Sequence, residues 1–136
     1  MGYDIFTVEA DEALHKEYHA KWEYGKDFDT DGKLYFRHNI WGMSMLRSWL
    51  IEAGGAAEAV TAELVWNDGQ LIDAATCTAV ADQIDATIQG KTDEEVYGGF
   101  IGYDKKPYEV DDVKESVLHF RDYLRFAARL GGCNVH

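Results

Sequence analysis

Hydrophobic and polar positions alternate along residues 3–8, YDIFTV, and the aromatic and β-branched types there predict a short strand. The period then changes. From Asp11 to about Tyr24, Leu14, Tyr18 and Trp22 recur at i, i+4, i+8, the apolar stripe of an amphipathic helix. A polar loop, KDFDTDGK, follows. Over residues 36–53 large apolar side chains are dense, with Ile40, Met43, Leu46 and Leu50 on one helical face and Trp41, Met45 and Trp49 on the next. This predicts a core helix stopped by Gly54-Gly55. Ala56 to Leu64 reads as a shorter helix, and Asn67-Asp68-Gly69 as a turn.

A further helix over 73–89 places Cys77, Val80, Ala81, Ile84 and Ile88 on one side, and Thr92 with Glu95 forms a capping-box pattern for a single turn. YGGFIGYDKKPYE breaks every helical period and reads as a loop. The last helix, over 110–130, carries Val113, Val117, Phe120, Leu124 and Ala127 and stops at Gly131-Gly132. The tail CNVH is a second strand candidate. Pairing it with residues 3–8 protects both edges, so the expected fold is mainly α (α+β), one domain over 1–136 with a short strand pair formed by its two ends.

Composition narrows the function classes. The 136 residues are 46% hydrophobic with one proline, fitting one globular domain. No apolar run is long enough for a membrane span, and the opening residues lack a signal-peptide pattern, so a cytoplasmic protein is expected. The formal net charge is −12, which opposes attraction to phosphate backbones and anionic membranes. The acid is concentrated: residues 54–112 carry 13 acidic and 3 basic side chains, whereas residues 113–136 carry 2 and 4. Cys77 and Cys133 have neither close spacing nor a secreted context, so both are expected as reduced thiols.

At Tyr35-Phe36-Arg37-His38-Asn39-Ile40-Trp41-Gly42-Met43, at Asn67-Asp68-Gly69 and at Gly131-Gly132-Cys133-Asn134-Val135, the sequence resembles a family of small uncharacterised proteins of bacteriophages and actinobacteria. That family carries Y-F-R-x-N-(I/V)-W, N-D-G and a G-G-F-x-(V/I) ending. The anchors are scattered over residues 35–136, and Cys133 stands where the family more often has an aromatic residue. The resemblance implies a phage or prophage gene acting in a bacterial host cell, and it assigns no site.

Candidate chemistry is sparse. Asp27, Asp29, Asp31 and Gly32 spell the first half of a calcium loop, D-x-D-x-D-G, but the twelfth position is His38 rather than the bidentate glutamate. Glu12, His15, His19 and Glu23 share one helical face and read as a solvated row. Arg121, Arg125 and Arg129 form an i, i+4, i+8 row that either clamps an anion or pairs internally. The segment 97–108 holds Tyr97, Phe100, Tyr103, Lys105, Lys106 and Tyr108 among three glycines, a composition suited to recognition. With no G-x-S-x-G, no cysteine beside a base and no phosphate loop before a helix, neither catalysis nor a cofactor or required metal is expected. The expected role is non-enzymatic binding of a host or phage macromolecule, with a protein as the expected partner and no direct nucleic-acid binding, as an inhibitor or counter-defence protein. The alternative is a nucleotide or other small anion bound between the arginine row and the aromatic loop.

Overall fold

A computed structural model describes residues 2–136 and shows an α+β fold, six helices against one small antiparallel sheet. In chain order the elements are β1 Gly2–Thr7, α1 Glu12–Lys21, β2 Tyr35–Asn39, α2 Ile40–Ala53, α3 Gly55–Ala59, β3 Gln70–Ile72, α4 Ala74–Ile88, α5 Asp93–Tyr97, α6 Val110–Ala127 and β4 Cys133–Val135. No described helix is long and apolar enough to cross a membrane.

The two ends do pair, with Ile5 opposite Val135 and Thr7 opposite Cys133, but they are the centre of a sheet rather than the whole of it. Its order is β2-β1-β4-β3, all neighbours antiparallel. The alternation in β1 sends Tyr3, Ile5 and Thr7 into the core. The expected helix over 36–53 is corrected at its start. Tyr35–Asn39 pairs with β1, and Asn39 caps the helix that follows by accepting the Gly42 N–H at 2.7 Å. The helix expected over 56–64 is also shortened, because from Val60 the chain makes i to i+3 turns, such as Glu63 N–H to the Val60 carbonyl at 3.1 Å. Likewise α1 stops at Lys21 and α6 at Ala127.

Helices α2, α4 and α6 pack together over the sheet, and α6 also meets α1 and α5. Phe36 of β2 is fully buried, its ring against His119, Phe120 and Tyr123 of α6; burying such a ring stabilises by about 1.5–3 kcal/mol. Trp49 of α2 is likewise enclosed, and its indole N–H donates to the Val96 carbonyl at 2.9 Å, which ties α5 and the segment after it to the core. α1 is held to α6 through Asp122, which accepts from Lys21 Nζ at 2.8 Å and from Trp22 Nε1 at 3.0 Å.

Candidate binding face

An exposed aromatic surface forms where α2 begins. Because β2 runs straight into α2 and Asn39 caps the turn, Trp41 sits in the first helical turn, beyond the edge of the core that takes Met45 and Trp49 below it. Residues 100–108 fold back on themselves as a small hairpin. Tyr108 N–H donates to the Phe100 carbonyl at 2.8 Å, Gly102 N–H to Lys106 O at 2.8 Å, and Lys105 N–H to Gly102 O at 2.9 Å. At its tip Lys105 adopts φ 64°, a conformation that costs a non-glycine residue roughly 1–2 kcal/mol. Asp104 supports the turn by accepting the Lys106 N–H at 3.1 Å.

This hairpin delivers Tyr103 onto Trp41. Their ring centroids are 4.6 Å apart at 33°, yet Tyr103 remains 81% and Trp41 50% exposed. Beside them Tyr108 Oη donates to the Trp41 carbonyl at 3.4 Å. Three clefts meet at this point. One of about 460 Å³ lies between Trp41, Tyr103, Pro107 and Tyr108, bordered by the carboxylates of Glu109 and Asp112 at the start of α6. A second, about 320 Å³, runs under Phe100 and Ile101 along Ser44, Ser48 and Glu52 of α2. A third, about 490 Å³, opens toward Tyr24, Arg37, His38 and Ser116.

The third cleft contains a histidine beside a serine hydroxyl, the pairing from which an activated nucleophile is built. His38 Nε2 lies 2.5 Å from Ser116 Oγ. Burial holds the His38 imidazole down at about 4, so it is neutral at pH 7. Ser116 is almost wholly covered, however, and it is the only hydrogen-bond partner of the His38 ring among the described residues. The pair therefore lacks the third group that orients the base in such sites, and it reads as a satisfied contact between β2 and α6.

The residues singled out in the sequence divide. Tyr103, Lys105, Lys106 and Tyr108 come together on the hairpin, with Phe100 half-buried at its base. Tyr97 is the exception: it ends α5, is buried, and stacks with Trp49 at 6.3 Å, so it belongs to the core and cannot contact a partner. The arginine row turns the other way. Arg121 Nη1 is 2.8 Å from Asp85, and Arg125 reaches both Asp82 and Asp85 at 2.6 Å. Burial acts to raise the Asp85 carboxyl, but the two guanidiniums override it and hold the group below the usual carboxylate range. Arg129 is exposed. None of the three arginines lines the clefts around the hairpin.

Asp27, Asp29 and Asp31 lie along an exposed turn and do not converge; among the described residues no three metal-ligating side chains do. His19, expected on a solvated row, is buried, with Nδ1 2.8 Å from the Trp22 carbonyl. Cys77 and Cys133 are both free and buried, and hydrogen bonding to Cys77 together with burial pushes the Cys133 thiol up. Sequence reasoning missed Trp41, Glu109 and Asp112. The signal for Trp41 was Asn39, a helix cap that places the tryptophan in the opening turn.

No family model matches the chain, and neither curated proteins nor solved structures yield a match.

Proposed function

We propose that this chain is a non-enzymatic binding protein of the phage or prophage type, which docks by its Trp41–Tyr103 face onto a basic protein surface in a bacterial cell, as an inhibitor or counter-defence protein. The observation that carries this reading is the exposed pair of rings in contact, tilted at 33° to each other. Contiguous exposed apolar surface rimmed by polar residues marks interaction sites, and such rings are the anchors around which protein interfaces concentrate their binding energy. The surrounding charge selects the partner. Asp104, Glu109 and Asp112 border the rings, in a chain of net charge −12, and an acidic face speeds encounter with a basic surface and disfavours an acidic one.

The alternative, an anionic nucleotide gripped by the arginine row, has no comparable support: the forks of Arg121 and Arg125 are already occupied by Asp82 and Asp85. The test is affinity capture from host lysate at low and at high salt, comparing the wild type with a Trp41→Ala/Tyr103→Ala variant. The expected result is a protein partner that the wild type enriches at low salt and that the variant loses. Equal capture by both proteins, or no enrichment, would overturn the assignment.

A further inference from the structure

The cleft between Trp41, Tyr103, Pro107 and Tyr108 is shaped for more than general adhesion. Its volume of about 460 Å³ falls within the range of small-molecule pockets, roughly 300–1,000 Å³, which is room enough for a single long side chain. Its walls are aromatic and its border carries Asp104, Glu109 and Asp112 against a single cation, Lys106, among the residues that line it. Ring faces carry negative potential, so walls and border favour the same sign of charge. An apolar anchor would fill the walls but leave the carboxylates without a counter-charge. An anion would meet them directly.

We propose that this cleft is a binding site for one arginine side chain presented by the basic partner; the inference rests on the binding-face reading above and specifies its chemistry. A guanidinium meets both requirements at once. Its plane lies on aromatic faces, its fork matches carboxylates, and it sheds water more readily than an ammonium. The Arg side chain's methylenes cover apolar surface such as the Pro107 ring. The supporting residues are already placed. Glu109 and Asp112 project from the cap and first turn of α6, a rigid element, and the hairpin hydrogen bonds hold Tyr103 on Trp41 before anything binds. That pre-ordering lowers the entropy cost of capture.

The test is a nuclear magnetic resonance titration of the whole chain with acetyl-Gly-Arg-Gly-amide, and with the same peptide carrying citrulline, which keeps the shape and removes the charge. Saturable shifts are expected at the Trp41 indole N–H and at Tyr103 and Tyr108 with arginine and not with citrulline. Trp41→Ala should abolish them; Trp41 is half-exposed, and the dispersion of the same spectra reports whether the variant is folded. Asp112→Asn should weaken the arginine peptide roughly fivefold, while Lys106→Gln, which removes the opposing cation, should tighten it. Equal shifts with citrulline, no shifts at these rings, or weaker binding by Lys106→Gln would overturn the site. Should it fall while capture of the partner still depends on Trp41 and Tyr103, the face stands without this pocket; if capture is also independent of those rings, both readings fall.

Discussion

His119 sits within a box of rings. It is stacked on Trp22 at 4.2 Å and 9°, set edge-on to Phe36 at 4.7 Å, and its Nε2 is 2.5 Å from Tyr18 Oη. Burial, with the nearby His38 charge adding to it, holds its imidazole at about 3, and burial alone holds His38 at about 4. An unfolded chain takes up these protons near pH 6.5. The folded pKa values are depressed, so the stabilisation from both histidines is complete above about pH 6.5 and is lost as the pH falls, toward about 4 for His38 and about 3 for His119. Within that window each contributes a slope of about 1.4 kcal/mol per pH unit. Carboxylates titrate over part of the same range, and comparing the wild type with His119→Phe cancels them while keeping a ring between Trp22 and Phe36. Urea unfolding at pH 7, 5.5 and 4.5 is expected to show a shallower loss of stability in the variant; parallel curves would show that His119 does not resist protonation.

Between elements, backbone packs tightly at Gly132, where the chain turns from α6 into β4. A Cβ there would lie 2.2 Å from the Ile72 carbonyl oxygen and 2.9 Å from the Asp73 Cα, and the residue holds φ 94°. Both neighbours are backbone at the end of β3 and cannot rotate away. Gly132→Ala is therefore expected to cost about 3 kcal/mol or more, read as a lowered thermal midpoint, with the β3–β4 pairing lost first. A variant within about 0.5 kcal/mol of the wild type would show that the strand end gives way freely. The end of the last helix was legible only approximately, since α6 stops at Ala127 and turns carry the chain on to Gly131-Gly132; the pairing of the two ends was legible, because residues 3–8 alternate and a buried edge needs a partner. β2 was not legible, because Tyr35 and Phe36 extend the apolar density of α2 without interruption and only the cap at Asn39 separates strand from helix. β3 is three residues long, too short to show a period.

On the scale of the whole molecule, the arginine row stands apart from the exposed Trp41–Tyr103 rings, since none of its side chains lines the clefts there. α4 and α6 meet through Arg121 and Arg125, which pair with Asp82 and Asp85. The start of α2 and the hairpin instead leave rings and carboxylates facing outward. The composition of residues 97–108 pointed to this site, and Tyr103, Lys106 and Tyr108 do border it. It could not show that Tyr97 turns inward against Trp49, nor that Trp41, which counts toward the apolar face of its helix, is pushed outside by the register of the strand before it. The most direct test of the binding face is hydrogen exchange by mass spectrometry on the chain alone and in complex with its captured partner. Protection is predicted over residues 38–48 and 99–112, with α4 and the last turns of α6 unchanged. Protection confined to residues 80–89 and 121–129, with none at Trp41 or the hairpin, would contradict it and return the arginine row to the centre of function.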